Sequence, residues 1–138
     1  ESRGLGDVYK RQIEKACKLA EVNEKFYLAT NAMWSYRLNF MPAIKISVIW
    51  SGIEALFMID HNIKNTIATV SSRFIYGNDD KIEDIKNLYK EARCKATHEY
   101  QNGTYDLYKK SNELLYKLIL KCIDEGHTPD VNYILTIF

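Results

Sequence analysis

The chain has 138 residues, 46% of them hydrophobic, with 19 basic and 18 acidic side chains. That suffices for one domain with its own core, and the near-neutral balance excludes a broad basic surface for coating nucleic acid while leaving room for a localised site. Interspersed charges, ten tyrosines and two tryptophans exclude a low-complexity disordered chain.

Residues 1–12, ESRGLGDVYKRQ, have no starting methionine and no hydrophobic periodicity. Asp7 to Gln12 match a translation of the end of a transposase adapter used in sequencing libraries. The segment is therefore read as such an artefact or as a disordered tail, and set aside. Its removal leaves 16 basic and 16 acidic residues. It also implies a longer natural protein, with room for other domains of the parent chain, and makes residues 13–138 the single domain.

The first helical block runs from about Ile13 to Phe40, with Ala16, Leu19, Ala20, Phe26, Tyr27, Met33, Trp34 and Leu38 at spacings of three and four. Pro42 sits at a helix boundary, where its missing N–H costs nothing. The second block, about Ala43 to Asp60, is apolar on nearly all sides and reads as a central core helix. It contains Lys45 and Glu54 and is too short for the ~20 residues of a membrane span.

A third block, Ile63 to Tyr76, carries enough β-branched residues to make a strand the alternative, and ends at Gly77-Asn78. Asp79 or Asp80 would cap the next helix, in which Ile82, Ile85, Tyr89, Ala92 and Ala96 trace one face until Asn102-Gly103 breaks it. The last long helix spans Thr104 to Glu125 and stops at Gly126. Beyond Pro129, the segment VNYILTIF reads as a short helix or strand. The expectation is an all-α helical bundle of four to five helices.

Arg93 and His98, in LYKEARCKATHEYQNG, carry the strongest chemical signal. Arginine is a permanent cation suited to phosphate, and histidine titrates near neutral pH. Five residues along a helix turn the chain by about 500°, leaving the two side chains roughly 140° apart. They share a face only if the helix ends between them or the site is built across two protomers. Glu54, inside an apolar helix, needs a cationic partner, and Arg73 and Arg93 are the two choices.

Cys17, Cys94 and Cys122 form no CxxC pair, and no HExxH or paired-His spacing is present, so no metal or other cofactor is expected. With no signal peptide in view, the cysteines suit a reducing, cytoplasmic setting. His61 and His127 fall in turn-like surroundings. Lys109, Lys110 and Lys117 read as a solvated helix face. Tyr100, Tyr105 and Tyr108 flank the Arg–His motif and are of the type that stacks on bases or fills cores and interfaces.

Taken in order, SVIWSGIEALFMI, the helix bearing Ser72-Arg73, and NLYKEARCKATHEYQNG resemble the Apea-like branch of the HEPN superfamily (higher eukaryotes and prokaryotes nucleotide-binding). The resemblance covers about Tyr27 to Ile123. It implies a HEPN-like all-α bundle of four or five helices, a homodimer, and metal-independent cleavage of single-stranded RNA through an Arg-x4-6-His motif, here Arg93 and His98. Glu54, Arg73, Cys94 and Glu99 become supporting residues, and Tyr100 and Tyr105 candidates for stacking RNA.

Two positions depart from the family pattern. Cys94 stands where Asn, Asp, His or Ser is usual, and Glu99 replaces the glycine after the histidine. Cysteine is a poor hydrogen-bonding group, and a carboxylate there repels phosphate while raising the histidine pKa. They favour the alternative of a catalytically inactive HEPN module for dimerisation or RNA binding within a larger protein. A helical interaction domain without nucleic acid is the third reading.

Overall fold

A computed structural model describes residues 2–95 and 104–137, and every regular element in them is helical. Seven α-helices follow one another: α1 (Ser2–Val22), α2 (Glu24–Ser35), α3 (Pro42–Phe57), α4 (Ile63–Tyr76), α5 (Ile82–Lys95), α6 (Thr104–Glu125) and α7 (Val131–Thr136). A 3₁₀ turn at Tyr36–Leu38 precedes α3. The all-α expectation holds for these residues, but seven helices replace four to five.

Asn23 accounts for one added helix. Its backbone is extended, and its side-chain oxygen accepts the Phe26 N–H at 3.0 Å. It therefore stops α1 and caps α2, an arrangement that stabilises a helix start by about 1 kcal/mol. The Asn23 amide also donates to Thr128 Oγ1 at 3.2 Å, tying this break to the loop before α7. The N-terminal segment read as an adapter remnant or tail lies in the first half of α1. No side chain from Gly4 to Lys15 is buried, so this half is helical without adding to the core, which begins at Ala16 and Leu19.

α3 packs against α2, α5 and α6. Ile46, Ile49, Trp50, Ile53, Leu56 and Phe57 are buried along it. Gly52 faces α2 so closely that a Cβ there would lie 2.5 Å from Ala32 Cβ. The helix is not enclosed on all sides, however: Ile44, Ser47, Ser51 and Met58 are exposed, so one stripe of the expected central helix faces outward.

α4 is a helix and not a strand, because Thr66, Ile67, Val70, Ser71 and Phe74 are buried at three- and four-residue intervals. Gly77, at φ +75°, ends it. The buried Ser72 hydroxyl then donates to the Asn78 carbonyl at 2.7 Å and accepts the Lys81 N–H at 3.1 Å, fixing the turn into α5. α7 settles the last segment as a helix, capped by Asp130, which accepts the Tyr133 N–H at 3.2 Å. Among the described residues no helix is long and apolar enough to cross a membrane.

Candidate functional site

The last turns of α5 present Ala92 to the core and Arg93 to a notch against α3. The notch is a cavity of about 70 Å³ whose lining includes Ser47, Trp50, Ser51, Glu54, Ala92 and Arg93. Arg93 Nε donates to the Tyr89 hydroxyl at 3.2 Å, one helical turn back, and its guanidinium carbon lies 5.1 Å from the centre of the Tyr89 ring. Arg93 Nη2 donates to Glu54 Oε1. Burial opposes the arginine's charge, but the Tyr89 hydrogen bond and the Glu54 carboxylate outweigh it and hold the guanidinium pKa above its ordinary value.

Support for this pose runs through the bundle. The Tyr89 ring meets Trp50 edge-on, with centroids 5.4 Å apart and planes at 87°. Trp50 Nε1 donates to the buried Ser111 hydroxyl on α6 at 3.0 Å. Three helices thus align one guanidinium, leaving Nη1 unengaged by any described residue. With the Arg93 side chain 56% exposed and Glu54 30% exposed, the pair is a half-open one, of the kind that contributes about 0–1 kcal/mol to stability. Its value is orientation.

Glu54 is thereby paired with Arg93 rather than Arg73, and it is not the deeply buried carboxylate its apolar setting implies. Arg73 has other partners. It donates to Asp79 at 2.7 and 3.2 Å and to the Ile134 and Leu135 carbonyls of α7. Those contacts sit at the start of α5, roughly 17 Å along the helix axis from Arg93. Arg73 ties α4 to α7 and to the turn before α5.

Cys94 is exposed beside Arg93. His98, Glu99 and Tyr100 lie outside the described residues. Tyr105 is 68% exposed on the first turns of α6, with its ring 6.0 Å from Tyr108. His61 pairs with the adjacent Asp60 at 2.8 Å, and His127 is exposed beside Phe74 at 6.4 Å. Lys110 pairs with Asp106 at 3.1 Å and Lys117 with Glu113 at 2.8 Å, along the outer face of α6. Among the described residues no three His, Cys, Asp or Glu side chains gather as a metal-ligand set.

No protein-family model, curated protein or solved structure matches this chain.

What the notch offers chemically is an oriented cation whose Nη1 has no partner among the described residues, a group suited to a phosphate oxygen. Sequence reasoning missed Tyr89, Trp50 and Ser111 as positioning residues. Tyr89 was detectable in principle, since it precedes Arg93 by four residues and lies on the same helix face. Trp50 and Ser111 meet only through the packing of α3 on α6.

Proposed function

We propose that this chain is a HEPN-type, metal-independent endoribonuclease domain that cuts single-stranded RNA, acting as a homodimer in the cytoplasm in microbial defence or a toxin-like stress response. One observation carries the reading: Glu54 from WSGIEALF and Arg93 from EARCKATH, two separate segments of the resemblance, meet in one notch, with no partner for Arg93 Nη1 among the described residues. In the reaction, the ribose 2′-oxygen bonds to the adjacent phosphorus and the bond to the 5′-oxygen breaks. A histidine accepts the 2′-hydroxyl proton, and a second acid supplies one to the leaving oxygen. Arg93 stabilises the charge on the phosphoryl oxygens. A two-fold dimer supplies two copies of His98, one for each transfer.

Purified protein with labelled single-stranded RNA in EDTA, beside His98→Ala and Arg93→Ala, tests the proposal. Cleavage that needs both residues and no added metal supports it; cleavage that survives both substitutions overturns it. The inactive HEPN module remains the second reading, favoured by Cys94 beside the arginine and by a Glu54 carboxylate that already partly neutralises it. Its signature is RNA binding or dimerisation without product.

A further inference from the structure

A second surface, at the opposite end of α3, has features of its own. Trp34, at the end of α2, is 70% exposed, and the Arg37 guanidinium lies 5.3 Å from its ring centre. The same guanidinium is 5.7 Å from the ring of Tyr36, whose hydroxyl accepts Arg37 Nε–H at 3.5 Å. The Tyr36 hydrogen bond and ring hydroxyl hold the Arg37 pKa above its ordinary value.

Tyr36 in turn packs on Tyr108 at 5.9 Å, and Tyr108 on the exposed Tyr105 at 6.0 Å. Lys45 sits 5.3 Å from the Tyr108 ring and Lys109 5.9 Å from the Tyr105 ring. Two exposed rings, Trp34 and Tyr105, are thus joined through buried or half-buried tyrosines, with three cations among them. None of Arg37, Lys45 and Lys109 makes an ion pair within the described residues. The nearby carboxylates Asp106 and Glu113 are engaged by Lys110 and Lys117.

We infer that this aromatic and cationic surface is a stacking platform for the bases of single-stranded RNA, separate from the Arg93 notch. Rings stack on bases regardless of sequence, and cations interleaved with them track the phosphates. A neutral chain with a local cluster of cations and rings of this kind suits contact with a strand rather than broad coating of a duplex. Lys45 and Glu54 are nine residues apart on α3, about 14 Å along the axis and about 180° around it, so the platform and the notch open on different sides of that helix. Leu38, 80% exposed, and Phe40, 97% exposed, extend the apolar surface and are the residues a protein partner would use as anchors instead.

As an account of substrate capture, this rests on the ribonuclease reading. Its test is built so that the two fail separately. A 5′-fluorescein-labelled dodecamer of uridine is titrated in EDTA against the full chain and against Trp34→Ala, Tyr105→Ala and Phe40→Ser. All three side chains are mostly exposed, so the variants keep the fold, which circular dichroism checks. Trp34→Ala and Tyr105→Ala are each expected to weaken binding by about fivefold or more, with Phe40→Ser binding normally. Equal affinity of wild type, Trp34→Ala and Tyr105→Ala overturns the platform while leaving the nuclease standing. Normal platform-dependent binding without cleavage keeps the platform and removes the nuclease. Loss of self-association in Trp34→Ala and Phe40→Ser, with RNA affinity intact, assigns the surface to a protein interface and overturns the inference.

Discussion

Replacing Gly52 with alanine puts a methyl group 2.5 Å from Ala32 Cβ, with the Ala29 backbone 3.5 Å away. Carbon atoms prefer about 3.5–4.0 Å. Both methyl groups sit directly on helix backbones, so neither can swing aside, and α2 must move off α3. Overpacking of this kind costs about 1–3 kcal/mol. Alanine's better helix propensity offsets about 0.8–1.0 kcal/mol, so the net loss is up to about 2 kcal/mol. In an Ala32→Gly background the obstacle is gone, and the same substitution becomes neutral or stabilising by up to about 1 kcal/mol. Urea unfolding of the four proteins measures the coupling, expected at about 1–3 kcal/mol. Gly52→Ala stabilising the protein equally in both backgrounds would refute a close α2–α3 crossing.

Trp50→Phe deprives the buried Ser111 hydroxyl of its donor and should cost about 1–3 kcal/mol, part of which Trp50→Phe/Ser111→Ala recovers; equal stability of the single and double variants contradicts the buried bond. Arg93→Ala and Glu54→Gln should each change stability by no more than about 1 kcal/mol because the pair is half-open, and a loss above 3 kcal/mol would give Arg93 a structural role. The Cys122 thiol is buried, which pushes its pKa up to about 12 from an ordinary 9.0, so in the native protein it should resist alkylation while the exposed Cys17 and Cys94 react. The unfolded chain releases the Cys122 proton first, so the thiol's stabilising contribution is complete below pH 9 and is lost as pH rises from there toward 12. Relative to Cys122→Ala, stability should therefore fall by about 1.4 kcal/mol per pH unit across that range, and a flat difference would contradict it.

The helix ends at Gly77 and Gly126 were legible because a residue with φ of +75° or +81° is nearly always glycine and marks a stop. The buried face of α6 was legible from its periodicity, whereas the β-branched residues of α4 left a strand open. Asn23 was not, since an asparagine inside a periodic run looks like a tolerated surface residue until its side chain is seen to cap Phe26. The open stripe of α3 was hidden for a different reason: Ile44 and Met58 are apolar whether or not a neighbour covers them. In the site, a need for a cation near Glu54 could be read from its apolar setting. The choice of Arg93 over Arg73 could not, because it depends on which end of α5 lies against α3. Arg73 has its own carboxylate in Asp79, six residues on, a pairing visible only once the α4–α5 turn is formed.

The most direct measurement is the chemistry of the cut ends. Single-stranded RNA incubated with the protein in EDTA and analysed by mass spectrometry should yield upstream fragments ending in a 2′,3′-cyclic phosphate and downstream fragments starting with a 5′-hydroxyl, both absent with Arg93→Ala or His98→Ala. Fragments ending in a 3′-hydroxyl beside 5′-phosphates, or cleavage that appears only when metal is added, would contradict the account.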